Sequence, residues 1–322
     1  MTDISFLVWN INNTAGVFYD HLTDLIKAYP DKSFDFIVLL EADKAKSTKF
    51  CKANNYSEID LKSAVKTADN IRVLVKTGLT VGLEVEILRE IEEGVDEVEM
   101  LENSFKSNDP TVKIYKQTIS VKRYLRKISI QTFKLKIPNQ DPVLLGAIHF
   151  PSSLYYDEYD QLQRAFEYKR KIDGLGRTFN NRVILMGDFN MTPFAPGMVE
   201  SKGFYAHSSR TKVTPKPRNI DLGQSTPYYN PCWMLLGDYD LRNSQPRSGG
   251  SFYYSKSFVD KKRDWHLIDQ VIFTQPLIEH FNHKNLEILS TDKIKDEVLM
   301  ESARRGKNFF LDHLPLYFSF TF

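Results

Sequence analysis

The chain has 322 residues, 42% of them apolar and 26% charged, with a net charge of +2. That balance fits a globular protein with a substantial core, excludes a disordered chain, and means that any nucleic-acid partner would need a local basic surface. Cys51 and Cys232 are its only cysteines, which excludes a disulfide framework and a zinc-type cysteine pair. Without a basic, apolar leader or an apolar window long enough to span a bilayer, the expectation is a cytoplasmic protein with no membrane anchor.

Residues 4–9 read as a buried strand, followed by Asn10 and Asn12. Residues 17–29 have helical spacing, with Phe18, Leu22, Leu25 and Tyr29 on one side and Pro30 as the stop. Residues 34–40 form an apolar run broken only by Asp35, the pattern of a buried strand, and Glu41 closes it. Residues 71–75 predict another strand. Residues 84–109 then carry ten acidic side chains against Arg89 and Lys106, whereas residues 113–136 hold eight Lys or Arg and no acid. Within that basic stretch Ile128, Ile130 and Thr132 alternate with Lys127, Ser129 and Gln131, which predicts strands with one solvated face.

Residues 143–150 read as a buried strand that delivers His149 at its end. Residues 155–172 read as a helix with Tyr159, Leu162, Phe166 and Lys169 along one side. The strand at 183–186 runs directly into Gly187-Asp188-Phe189-Asn190. Residues 191–257, rich in Gly, Pro, Ser and Asn, read as long loops with short elements, and residues 266–274 and 315–322 as closing strands. No linker divides the sequence, so the expectation is one α/β domain spanning residues 1–322.

The chemistry gathers at strand ends. Side chains two apart on an extended chain face the same side, so Asp188 and Asn190 are expected to converge. Asp269 sits among apolar neighbours on a predicted strand, where an unpaired carboxylate is costly, so it needs a cation, a histidine or a metal as partner. Taken singly, Asn10 and Asn12 suit a turn, Glu41 a solvated surface and His149 a structural hydrogen bond. Taken together with Asp312 and His313, they form a set of hard oxygen ligands without cysteine, which suits Mg²⁺ or Mn²⁺. Histidines beside carboxylates can serve as general acids or cationic phosphate ligands.

The ordered set Trp9-Asn10, Glu41, His149, Gly187-Asp188-Phe189-Asn190, Ile268-Asp269 and Asp312-His313 resembles the endonuclease/exonuclease/phosphatase superfamily, the deoxyribonuclease-I-like fold, over nearly the whole chain. The resemblance implies a four-layer α/β sandwich, two packed mixed sheets with helices outside, and a metal-dependent phosphoesterase. It implies that Glu41, Asn10 and Asp312 hold the metal and that Asp188 orients or deprotonates the attacking water. Asn190 would hold a phosphate oxygen and steady Asp188. His313, oriented by Asp269, would contact the phosphate, and His149 would bind the phosphate or protonate the leaving oxygen. Leu40 stands where the family usually carries Gln, and Leu311 where it usually carries Ser.

The segment Tyr228-Tyr229-Asn230-Pro231-Cys232-Trp233, with Gly249-Gly250-Ser251-Phe252-Tyr253-Tyr254 and Trp265, resembles a bacterial subgroup of that superfamily, which implies no particular substrate. Trp233 and Tyr254 are candidates for stacking a base, with core packing as the plainer alternative. Asn12 is a further candidate substrate contact. Arg210, Lys212, Lys216 and Arg218, in a loop after Asn190, are candidates for phosphate contacts. His280 and His283 read as surface residues. The expected substrate is a nucleic acid or nucleotide; the alternatives are a small phosphoester such as an inositol phosphate or phospholipid headgroup, and a silent binding module.

Overall fold

A computed structural model describes residues 2–11, 18–59, 71–79, 85–90, 129–152, 156–213, 225–242, 244–254, 264–290, 293–294, 297–298 and 312–322. The first half of the chain gives β1 (Asp3–Asn10), α1 (Phe18–Ala28), β2 (Phe36–Leu40), α2 (Lys44–Asn54), β3 (Tyr56–Glu58), β4 (Arg72–Lys76), β5 (Val85–Glu90), β6 (Ser129–Leu135) and β7 (Val143–His149). Next come α3 (Glu158–Gly176), β8 (Val183–Asp188), α4 (Pro196–Val199), β9 (Ala206–His207) and β10 (Tyr228–Tyr229). Short pairs β11 (Tyr239–Asp240) with β12 (Gln245–Pro246), and β13 (Phe252–Tyr253) with β14 (Trp265–His266), precede β15 (Asp269–Thr274). The chain closes with β16 (Glu287–Ile288), β17 (Lys293–Ile294), β18 (Glu297–Val298) and β19 (Leu316–Thr321).

Local chemistry accounts for these elements. All five side chains of β2 are buried, as its unbroken apolar run requires. Asp43 caps α2 by accepting the Lys46 N–H, and Asp157 caps α3 by accepting the Asp160 N–H. Helix α1 stops before Pro30, carrying Asp20 in its first turn and Lys27 in its last, as its dipole favours.

One sheet has six strands in the order β16-β19-β1-β2-β4-β3, the other seven in the order β5-β6-β7-β8-β15-β10-β9. Both are mixed: β1 runs parallel to β2 and antiparallel to β19, while β8 runs parallel to β7 and antiparallel to β15. The core between them takes Phe6, Val8 and Phe318 from the first sheet and Leu145, Ala147, Ile184, Met186, Val271 and Phe273 from the second. A separate outer core packs Leu144, Ile148, Leu185 and Ile272 against Tyr168 and Ile172 of α3. The period of two thus assigns one set of positions to the space between the sheets and the alternate set to the helix layer. Together these layers make the deoxyribonuclease-I-like α/β sandwich. Among the described residues no helix is long and apolar enough to cross a membrane.

Three expectations need correction. Gln131 is buried in phase with Phe133 and Leu135 of the core between the sheets, so the face of β6 expected to be solvated is the one that meets the opposite sheet. Residues 113–128 lie outside the described residues. Helix α3 turns Gln161, Ala165, Tyr168 and Ile172 inward and leaves Tyr159 66% exposed. Of the side read from the spacing, Tyr159 is exposed and Leu162 and Phe166 are half-buried, whereas Lys169 is buried in a pairing with Asp173. His280 stacks on Phe322, and His283 packs against Tyr229 and Phe281; neither is a simple surface residue.

Candidate active site

The inner-face phase of the strands places the site. Asp188 continues the series Ile184, Met186; Asp269 precedes Val271 and Phe273; and His149 follows Leu145 and Ala147. All three belong to the positions that face the opposite sheet, but at strand ends where the apolar filling stops. Register brings them side by side, with Asp188 paired to His149 in parallel and to Asp269 antiparallel. Asn10, in phase with Phe6 and Val8, reaches the same volume from the other sheet, and its Nδ2 donates to Asp188 Oδ2 at 3.1 Å.

Gly187 is required by this approach. Its φ is +143°, and an added Cβ would lie 1.9 Å from the Ile148 carbonyl oxygen. The strand ends at Asp188, and Asn190 adopts a left-handed φ of 50°. Asn190 therefore does not converge through extended i, i+2 geometry, because the chain has already turned. Its backbone N–H donates to Asp188 Oδ1 at 2.7 Å, and its side-chain amide donates to the Phe150 carbonyl at 2.7 Å. Glu41 also leaves its strand with a positive φ, 53°, a conformation that a non-glycine residue adopts at a cost. Its Oε1 lies 3.4 Å from both Asn10 Nδ2 and His149 Nε2.

His313 supplies the partner that Asp269 needs. Its Nδ1 lies 2.9 Å from Asp269 Oδ2, and both side chains are buried. His313 Nε2 lies 3.9 Å from Asp188 Oδ2, beyond hydrogen-bond range. Burial works against an imidazolium here, but Asp269, then Asp188 and Asp312, push the His313 pKa up to about 10. Burial and then Asp269 push the Asp188 carboxyl up to about 6, while His313, His149 and the Asn190 amide pull the other way. Asp188, Asp269 and His313 offer ligand atoms within 4.8 Å of one another, so this cluster is a metal-site candidate.

Three residues quoted for the resemblance, but given no role from the sequence, help to build the site. Fully buried Ser251 accepts the Asp269 N–H on its Oγ at 3.0 Å, and its carbonyl accepts the Leu314 N–H at 2.6 Å. It thereby clasps the segment carrying Asp269 to the one carrying His313. Phe252 packs its ring 4.7 Å from His313 and pairs with it as an isolated bridge. Trp9 Nε1 donates to the His313 carbonyl at 3.0 Å. The Gly249-Gly250 pair was the available signal, since a Cβ on Gly250 would meet the His266 backbone at 2.6 Å.

The remaining candidates divide. Tyr254 packs against Phe252, which in turn packs against His313. Trp233 packs against Phe194, which follows the Asp188–Asn190 turn. Arg210 lies over the Tyr229 ring, whose register partner Phe273 is four residues along β15 from Asp269; at the usual strand rise that is about 13 Å away. Lys212 shares its turn with Arg210, and among the described residues neither contacts the site. Following the strand in sequence did not place them at the site, because β9 and β10 line up against the far part of β15. Asn12, Lys216 and Arg218 lie outside the described residues, while Asp312 is described and half-buried.

A sandwich whose two sheets converge on carboxylates and histidines at one mouth is the architecture of a metal-dependent phosphoester hydrolase. The sequence matches the Endonuclease/Exonuclease/phosphatase family over residues 7–281, and the chain belongs to that family. A comparison with curated proteins found no match. Among solved structures, the chain is similar to D. rerio TDP2 complexed with single strand DNA product, at 12% identity and TM-score 0.55, covering 100% of both chains. A Bacteroides thetaiotaomicron mannosyl-6-phosphatase matches at 14% identity and TM-score 0.55, over 99% of this chain and 100% of that one. An endonuclease/exonuclease/phosphatase family protein of the same organism matches at 15% identity and TM-score 0.53, over 99% and 95%. These likenesses establish a shared fold.

Proposed function

We propose that the protein is a Mg²⁺- or Mn²⁺-dependent phosphodiester hydrolase acting on a nucleic acid or nucleotide. The observation that carries this reading is geometric: His313, hydrogen-bonded to buried Asp269 at 2.9 Å, presents its Nε2 3.9 Å from Asp188 at the same strand ends. Asp188, fixed by Asn10 and by the Asn190 N–H, accepts the proton of the attacking water. His313 directs its Nε2–H towards the phosphate oxygens, where negative charge develops in the transition state. His149 protonates the leaving oxygen. The second N–H of the Asn190 amide serves a phosphate oxygen.

The donor set fits a hard divalent cation. Asp269 Oδ1 is buried without a hydrogen-bond partner, and Glu41 adds a third carboxylate beside Asp188 and Asp269. His313 and Asp269 already share a proton at hydrogen-bond distance, and a protonated imidazole is no ligand. As the family resemblance implies, Glu41, Asn10 and Asp312 would hold the metal, with Glu41 Oε1 3.4 Å from Asn10 Nδ2. The cation would supply charge neutralisation at the phosphate. Asn12, Lys216, Trp233 and Tyr254 remain substrate contacts in this reading, and Tyr254 beside Phe252 is suited to a base.

A second reading, a small-phosphoester phosphatase, is favoured by one observation: Arg210 lies over Tyr229, level with Phe273 and about 13 Å along β15 from Asp269, rather than at the carboxylate cluster. One panel separates the two. The purified protein is assayed with Mg²⁺, Mn²⁺ or chelator on single- and double-stranded DNA, RNA, cyclic nucleotides, inositol phosphates, sphingomyelin and sugar phosphates. Metal-dependent diester cleavage that Asp188→Ala removes supports the proposal. Turnover confined to monoesters transfers support to the second reading, and full activity in Asp188→Ala overturns the role of Asp188.

A further inference from the structure

Gln161 has no part in the chemistry described above, yet it touches both loops that carry reacting groups. It sits in the first turn of α3 and is 4% exposed. Its Nε2 donates to two backbone carbonyls, Pro151 and Asn190, each at 3.2 Å. Pro151 stands two residues beyond His149, and Asn190 two residues beyond Asp188. An amide nitrogen carries two hydrogens, so one side chain supplies one bond to each loop.

The position matters because the sheet stops holding the two loops together at this level. The register of β7 with β8 ends at the His149–Asp188 pair. Just past it, the Phe150 N–H donates to the Asp188 carbonyl at 2.7 Å, and Asn190 Nδ2 donates to the Phe150 carbonyl at 2.7 Å. Pro151 then has no N–H with which to continue a ladder. Asn190, at a φ of 50°, has left strand geometry. Gln161 takes over where the ladder stops. Its helix is capped by Asp157 and packs Tyr168 and Ile172 into the outer core, so the amide projects from a fixed element. Buried polar networks that are fully bonded fix geometry in this way.

We infer that Gln161 is a positioning residue that sets the spacing between His149 and the Asp188–Asn190 turn. The inference rests on the hydrolase reading above and goes beyond it. In that reading His149 serves the leaving oxygen, while Asp188 and Asn190 serve the water and the phosphate. These groups act on opposite ends of one in-line displacement, so their separation has to match the substrate. Gln161 acts on that separation through Pro151 and Asn190, not through contact with the reacting atoms.

The test uses two diesters with Mn²⁺: bis(4-nitrophenyl) phosphate, whose leaving group departs unaided, and diphenyl phosphate, whose leaving group needs a proton. Wild type is compared with Gln161→Met, which keeps the volume and removes both donors, with His149→Ala, and with Gln163→Met, an exposed control on the same helix. Melting temperatures are taken in chelator. Gln161→Met should lower kcat about 10–10²-fold with KM nearly unchanged, because a misplacement of about 1 Å costs on the order of 10²-fold. The loss should be larger on diphenyl phosphate, as in His149→Ala, and Gln163→Met should match wild type. Should Gln161→Met fail to fold, Gln161→Asn, whose amide is one methylene too short to reach both carbonyls, carries the same expectation. A lower melting temperature with kcat per folded molecule retained makes Gln161 merely structural and overturns the inference. A larger loss on diphenyl phosphate in His149→Ala but equal losses on both diesters in Gln161→Met overturns it alone. Wild type inactive on both diesters overturns the diester reading, and the inference falls with it.

Discussion

Two buried charge clusters in this molecule are built on opposite principles. Under α3, Lys169 donates to Asp173 Oδ2 at 2.6 Å and to the Thr226 carbonyl, while Asp173 also accepts from the Thr226 N–H and the Tyr228 hydroxyl. One cation meets one carboxylate there, even though burial lowers the Lys169 pKa against the pull of Asp173. At the mouth of the sandwich, Asp188 and Asp269 stand side by side, His313 bonds to Asp269 alone of the two, and among the described residues Asp269 Oδ1 has no hydrogen-bond partner. The first cluster is matched and complete, as a structural device must be. The second holds excess negative charge and an orphaned oxygen, which a folding protein tolerates where chemistry needs it.

The contrast can be broken most sharply at Asp188. Asp188→Asn should lower turnover about 10²–10⁴-fold, the usual worth of a positioned general base, with an unchanged circular-dichroism spectrum. Lys169→Met should do the reverse. By leaving Asp173 buried and unpaired it should cost about 3–5 kcal/mol of stability in denaturant titration, while activity per folded molecule is retained. Loss of turnover in fully folded Lys169→Met would show that the two clusters are coupled.

Titration sharpens the same comparison. Catalysis that needs ionised Asp188 and protonated His313 should rise as pH passes about 6 and fall as it passes about 10 in the limit of weak metal binding, where these values apply. The stability consequence has a definite sign. The folded-state pKa of Asp188 is raised from 3.8 to about 6, so its contribution is present below pH 3.8 and is lost as pH rises through about 6. Asp188→Asn should therefore melt a few degrees above wild type at pH 8, with the gap closing by pH 4. A gap that stays constant across this range would contradict the burial cost assigned to Asp188. His313 acts in the opposite direction to a buried neutral histidine: its contribution holds below pH 6.5 and is lost as pH rises through about 10.

Much of the fold was legible locally. The apolar run that became β2, the stop at Pro30 and the strand delivering His149 each rest on propensity and spacing within a few residues. Asp269 announced its need for a partner because a carboxylate among strand hydrophobes cannot stand alone. The placement of Arg210 and the inward face of α3 were not legible. Both depend on which neighbour a segment packs against, and periodicity carries no information about that choice.

The sequence by itself determined the alphabet of the site: a glycine that alone tolerates the approach of Ile148, an aspartate on the inner phase of each of two strands, and a histidine at the end of a third. Tertiary structure decided who meets whom. Asn10 reaches Asp188 across 178 residues, and His313 reaches Asp269 across 44, each joining one sheet to the other. The physical reason is that strand phase is set by the local pleat, whereas the Asp269–His313 pair depends on contacts between distant segments, which Ser251, Phe252 and Trp9 make around it.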